Sequence, residues 1–179
     1  MDHVRKKRVE YSMQKGVVRK HRPGQVSEYG KQLREKQELK EQYNLREKQF
    51  KKYVQSTGSP ELLLRALETR LDSFVFRMGM AQTHRQAKQM VSHGHFLVNG
   101  KKITIPSYAV KMGGVVSVRP ESQKKSLLQH ASLSLKNYEP PAWLLLDKEK
   151  LQATMKKEPT LKEVAPTVEL PLVFEFYSR

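Results

Sequence analysis

The sequence predicts an α+β fold, with helices through most of the first half, a small antiparallel sheet after them and an extended basic arm in front. Three observations carry this expectation. Leu64, Leu67, Leu71, Phe74 or Val75, and Met78 recur at spacings of three and four, which marks one buried helical face. Asn99-Gly100 stands between two short apolar-rich runs, and both turn positions of a tight hairpin require positive φ. Residues 1–27 carry Arg5-Lys6-Lys7-Arg8 and Arg19-Lys20-His21-Arg22 with almost no apolar periodicity.

In chain order, residues 1–27 read as a basic N-terminal arm, and Asp2 and Glu10 argue against a mitochondrial leader, which is poor in acids. From Ser27 to about Tyr53, Tyr29, Leu33, Leu39, Tyr43, Leu45, Phe50 and Tyr53 lie scattered among charged residues and predict one or two helices, with Asn44 a candidate break. Glu47 and Lys51 are spaced for an i,i+4 ion pair. Ser56-Thr57-Gly58-Ser59 is a linker. Ser59-Pro60-Glu61 then starts a helix, since Ser caps, Pro suits the first turn and Glu faces the positive dipole end. The apolar stripe carries that helix to Gly79.

Thr83 with Gln86 has the capping-box spacing and opens a short helix ending at Gly94, with Ala87, Met90 and Val91 inward and His84, Arg85 and Lys88 on the exposed side. His95–Val98 and Lys101–Ile105 form the hairpin, Met112-Gly113-Gly114 turns the chain, and Val115–Val118 is a third strand. Beyond Pro120 the chain turns polar. Pro140-Pro141-Ala142-Trp143 then leads into an apolar anchor with Trp143 in core packing, and Leu170–Tyr177 docks back on the body.

Composition narrows the function. The 179 residues hold a formal net charge of +16, a pI near 10.0 and a mean hydropathy of −0.70, which calls for a polyanionic partner. Residues 1–58 hold 16 Lys+Arg against 7 Asp+Glu, residues 59–119 hold 9 against 3, and residues 120–179 hold 9 against 8. Binding is therefore expected in the first two thirds. No apolar run reaches the roughly 18 residues of a membrane span and no secretory leader is evident, so a soluble, intracellular protein without a membrane partner is expected.

Catalytic chemistry finds no foothold. There is no cysteine, no phosphate-cradling glycine loop and no HExxH, and His93-Gly94-His95 lacks the companion ligands of a metal site. No cofactor and no metal are expected. RNA recognition needs cations for phosphates, with hydroxyls, amides and aromatic faces for bases and 2′-hydroxyls. Arg77, His84, Arg85, Lys88, His93, Lys101 and Lys102 are expected to gather as a phosphate-binding surface where the second helix meets the hairpin.

The run RLDSFVFRMGMAQTHRQAKQMVSHGHFLVNGKKITIPSYAVKMGGVVSV, from Arg70 to Val118, resembles the S-four RNA-binding domain. YGKQLREKQ at Tyr29–Gln37, Arg46-Glu47-Lys48-Gln49-Phe50 with Tyr53, Pro141-Ala142-Trp143-Leu144 and the closing FEFYSR are similar to the flanking signatures of the bacterial-type small-subunit ribosomal S-four family. The resemblance covers the chain from about Arg22 to Arg179. It implies a helical body of residues 28–67 plus 140–179 with a returning C-terminus, an S-four domain at 68–125 and a connecting segment at 126–139.

The resemblance also implies a primary binder of small-subunit ribosomal RNA that seizes a multi-helix junction and nucleates 5′ domain assembly. It implies a seat near the channel through which messenger RNA enters, beside ribosomal proteins S-five and S-three, an influence on decoding accuracy, and a cytoplasmic or organellar ribosome as the location. Messenger RNA is a further partner on this view, and some relatives repress their own messenger. Carried residue by residue, contacts fall on Arg22, Gln25, Tyr29, Gln32, Arg34, Lys36, Gln37, Lys48, Gln49 and Tyr53, and in the domain on Arg77, Thr83, Lys88, Ser92, His93, Asn99, Lys101, Ser107 and Tyr108.

Three departures stand out. His84 replaces a usual Arg, which makes the local charge pH-dependent; Gly114 replaces a common acid; and the N-terminal stretch, cysteine-bearing in zinc-binding relatives, is short and diverged. The same domain occurs in pseudouridine synthases and some tyrosyl-tRNA synthetases, but those need a catalytic domain for which this chain has no room. A ribosome-rescue or stress-type RNA binder would lack the N-terminal helices and the FEFYSR tail, and general DNA binding ranks last.

Overall fold

Short polar side chains, Ser27, Ser59 and Thr83, set where three of the described helices begin. In the computed structural model, which describes residues 27–125, 128 and 135–178, the Ser27 hydroxyl accepts from the Gly30 amide and opens α1 (Glu28–Gln42). Asn44, at φ 48°, makes the left-handed turn into α2 (Glu47–Thr57). Gly58 ends α2 at φ 67°, and Ser59 at once caps α3 (Pro60–Glu68) by accepting from the Leu62 amide. The sequence-predicted linker is thus two caps back to back. Glu47 pairs with Lys36 and Lys40 across the α1–α2 turn in place of the expected Lys51.

The single helix expected from Pro60 to Gly79 is two. α3 stops at Thr69, and α4 (Leu71–Arg77) starts after Arg70, which is extended at φ −60° and ψ 143°. The loop at 105–110 supplies the reason. Leu71 and Asp72 amides donate to the carbonyls of Tyr108 and Pro106 at 2.8 and 3.1 Å, and the Val110 amide donates to Thr69 at 2.8 Å. A bridge between Arg70 and Ala109 replaces the helical bonds at that point. The apolar stripe is divided accordingly: Leu63, Leu64 and Leu67 enter one core, and Leu71, Phe74, Val75 and Met78 enter the other.

Thr83 caps α5 (His84–Ser92) through the Gln86 amide, and Gln86 reaches back to the Gln82 amide. The hairpin β1 (Phe96–Val98) and β2 (Lys101–Lys102) turns through Asn99 and Gly100 at φ 49° and 78°. Pairing ends at Lys102, short of the expected Ile105, which is exposed. β3 (Val115–Val118) follows as expected, and α6 (Pro120–Gln123) leaves it.

The late chain departs most from expectation. Residues 144–155 form a second hairpin, β4 (Leu144–Asp147) and β5 (Gln152–Met155), which extends the sheet to five antiparallel strands in the order β2-β1-β3-β5-β4. Val116 faces Ala153 across the β3–β5 junction. The expected assignment of all of 140–179 to the helical body is therefore corrected: residues 144–155 belong to the sheet. Leu128 and Leu135 are buried in that same core, so the described part of 126–139 packs on it and does more than connect.

Phe96, Val98, Val116, Val118, Ala153 and Met155 alternate onto one sheet face beneath α4 and α5, and Trp143 meets Phe74 edge-on at 5.9 Å. The second core joins Leu39, Phe50, Val54 and Leu67 to Val168, Leu170 and Val173. The last three come from the stretch after α7 (Leu161–Val164) and from α8 (Leu170–Tyr177), which lies along α1. The expected docking of the C-terminal segment is observed, as a helix. Among the described residues, no helix is long and apolar enough to cross a membrane.

Candidate nucleic-acid interface

α2 is amphipathic. Phe50 and Val54 enter the core, while Lys48, Gln49, Lys52, Tyr53 and Ser56 occupy the opposite side at spacings of one, four, five and eight. With Arg46 at the helix start and Ser107 on the 105–108 turn, they line an open groove of about 540 Å³. Among the described residues, three cations line it and no carboxylate does. Such a wall suits phosphates, with the Tyr53 ring and the Ser107 hydroxyl placed for bases and 2′-hydroxyls. The groove lies where the helical body meets the sheet module, since α2 belongs to the first and Ser107 to the second.

The sequence reading named Lys48, Gln49, Tyr53 and Ser107 but missed Arg46, Lys52 and Ser56. Helical spacing could have found two of these: Lys52 stands four residues after Lys48, and Ser56 four after Lys52. Arg46 left no periodic signal.

A second basic surface follows α5 and the hairpin. Arg85, Ser92, His93, Asn99, Lys101 and Lys102 are exposed, and the Lys102 stem crosses so close to Gly94 that a Cβ there would strike its Cε. Lys102 thereby crosses the chain at Gly94, next after the C-cap His93 of α5. Asn99 spends its Oδ1 on the Val115 amide at 2.9 Å, and Thr83 spends its hydroxyl oxygen on the helix cap. Lys88 donates to the Asn44 carbonyl at 3.1 Å and ties α5 to the α1–α2 turn. The His93 and His95 rings stand 6.0 Å apart, and no cluster of three metal-ligating side chains occurs among the described residues.

Four of the expected contact residues, His84, Arg77, Gln32 and Lys36, are engaged within the chain, and His84, expected on the exposed side, is buried instead. His84 is 8% exposed and stacked between Phe76 at 4.1 Å and Tyr43 at 4.9 Å. Burial first, then the Arg77 and Arg70 charges, hold its pKa at about 4, so it is neutral at physiological pH instead of supplying a pH-dependent charge. Arg77 grips Glu68 with Nε at 2.9 Å and Nη2 at 2.6 Å. Gln32 donates to Glu175 at 2.9 Å, and Lys36, 5% exposed, donates to Glu47 at 2.9 Å and lies over the Phe176 ring at 4.6 Å. These last two clamp α8 onto α1.

Of the remaining positions, Tyr29 and Arg34 are exposed on α1, Gln37 is half-buried there, and Tyr108 packs against the sheet core. Tyr29 also stacks against Phe176 at 5.6 Å. Arg22, Gln25 and the basic arm before Ser27 lie outside the described residues.

Residues 69–116 match the S4 domain, and residues 1–68 match the ribosomal protein S4/S9 N-terminal domain. Small ribosomal subunit protein uS4 of Geobacillus sp. is 43% identical over 167 residues, covering 89% of this chain and 82% of that protein. The chain belongs to the uS4 family. Two further uS4 relatives, from Herpetosiphon aurantiacus and Thermotoga petrophila, are each 42% identical, over 87% and 88% of this chain and 77% and 78% of their own lengths. The family is one of structural ribosomal proteins, and this uS4 chain is a structural protein and not an enzyme. Its α+β architecture and S4 domain are those that the sequence predicted.

Proposed function

We propose that this chain sits in the small ribosomal subunit and binds ribosomal RNA through the groove between α2 and the Ser107 turn, supported by the α5–hairpin surface. One observation carries the reading: among the described residues, three cations and no carboxylate line a groove that also offers an aromatic ring and hydroxyls. The names of the relatives support the ribosomal setting. On this reading Arg46, Lys48 and Lys52 bind phosphates, Gln49 and Ser107 read hydroxyls, and the ring of Tyr53, whose hydroxyl is held by Arg70, faces a base. Tyr29, Arg34, Gln37, Arg85, Ser92, His93, Lys101 and Lys102 extend the contact, together with Arg22 and Gln25 of the basic arm.

The same reading has the chain seize a multi-helix junction and nucleate 5′ domain assembly. It stands near the channel through which messenger RNA enters, touches ribosomal proteins S-five and S-three, and influences decoding accuracy. Salt dependence tests the groove. In binding to a transcript of the 5′ domain junction, Lys48→Glu with Lys52→Glu is expected to weaken affinity by about a hundredfold and to flatten the slope of log K against log salt by about 2. An unchanged slope in the folded double variant would exclude the groove as the RNA site.

A further inference from the structure

A single buried cation joins the two walls of the groove. Arg70 lies in the break between α3 and α4 and is 2% exposed, a position Arg occupies only when paired. Its planar fork points in two directions. Nε and Nη2 donate to Asp72 Oδ1 and Oδ2 at 3.0 and 2.5 Å, and Nη1 donates to the Tyr53 hydroxyl at 2.8 Å. The guanidinium carbon is 5.5 Å from the centroid of the Tyr53 ring. Meanwhile the Leu71 and Asp72 amides hold the carbonyls of Tyr108 and Pro106, on either side of Ser107. One short segment therefore grips α2 by a side chain and the Ser107 turn by its backbone.

Resting on the reading of this groove as an RNA site, we propose that Arg70 is a positioning residue: without touching RNA, it fixes the gap between Tyr53 on α2 and the Ser107 turn. A folded RNA junction presents phosphates and hydroxyls at set distances, whereas an unstructured strand adapts to whatever spacing it meets. Arg70 therefore governs preference for folded RNA more than affinity for RNA in general. The rigid fork suits this task, because a lysine ammonium cannot engage Asp72 bidentately and Tyr53 at once.

The test compares affinities for a 5′ domain junction transcript and for an unstructured RNA of equal length, with folding checked by circular dichroism. Arg70→Met is expected to lower junction affinity about tenfold while changing affinity for the unstructured strand by less than about twofold. A purely structural defect would shrink the folded fraction and lower both by one factor. Adding Tyr53→Phe to Arg70→Met is expected to cost no further preference, because the hydroxyl acts through Arg70. An unchanged preference, equal losses on both RNAs, or additive effects in the double variant would overturn the proposal. Should Arg70→Met fail to fold, Arg70→Lys decides on the same readout. Wild-type protein that shows no preference for the junction would instead remove the reading of the groove itself, a distinct result.

Discussion

His84 shows how one side chain changes character when a neighbouring element covers it. The helical wheel correctly groups it with Lys88, but that face of α5 lies under the α1–α2 turn, where Tyr43 meets the His84 ring and the Asn44 carbonyl takes Lys88. No local pattern in α5 encodes that cover. Among the described residues the ring's Nε2 has no hydrogen-bond partner, and its pKa falls from 6.5 to about 4. Between these values the unfolded chain takes up a proton that the folded chain refuses, so stability declines as pH drops from 6.5 to 4 and the effect is complete below that. The full effect is on the order of 3 kcal/mol. His84→Phe keeps the aromatic stack and cannot titrate. Denaturant unfolding at several pH values is expected to show wild type losing stability relative to this variant only in that window, and parallel curves would refute the assignment.

At the scale of elements, what was legible in the sequence was local. Ser27, Ser59 and Thr83 cap helices at the expected ends, and Asn99-Gly100 turns the expected hairpin, because those signals act within four residues. The β4–β5 hairpin gave no such signal. Its first strand is the unalternating run Leu144-Leu145-Leu146, and its turn places Leu151, not a glycine, at φ 49°. The α3–α4 break was hidden because the apolar spacing runs unbroken across it while the two halves serve different cores. Helix α8 was legible only as an apolar end, since its partners sit on α1 and α2. Val173 is fully buried there, and Val173→Ala is expected to lower the urea-unfolding free energy by about 2 kcal/mol. A change near zero would mean that α8 does not help hold the body together.

Across the whole molecule, two apolar cores are joined by a buried polar chain. Glu68, fully buried, accepts from the Tyr43 hydroxyl at 2.5 Å and from both ends of the Arg77 fork, and the Arg77 carbonyl accepts from the Tyr138 hydroxyl at 2.8 Å. Glu68→Gln leaves the Arg77 cation without its counter-charge, at an expected cost of about 3 to 5 kcal/mol. The lone tryptophan, Trp143, lies in the sheet core, so its fluorescence reports that half while far-ultraviolet circular dichroism follows the helices. The two thermal transitions are expected to coincide in wild type and to separate in Glu68→Gln; coincidence in both would show that Glu68 does not couple the cores. The charge asymmetry along the sequence pointed to the first two thirds of the chain, which also hold the proposed groove. The groove itself was not legible, because its walls come from residues 46–56 and Ser107, which lie far apart in the sequence and meet where Arg70 binds Tyr53 and its segment holds the 105–110 loop. Biosynthesis meets the same arrangement in time. Gln32 and Glu175, which clasp the first helix to the last, are 143 positions apart, so at cellular elongation rates on the order of ten seconds separate their appearance. Until α8 emerges Leu39 and Phe50 lack their lid, and between the synthesis of β3 and that of β5 the outer rim of β3 is bare. A nascent chain interrupted before Leu170 would offer chaperones and proteases its α1–α2 pair, with the proposed groove already built on a half that has not yet closed.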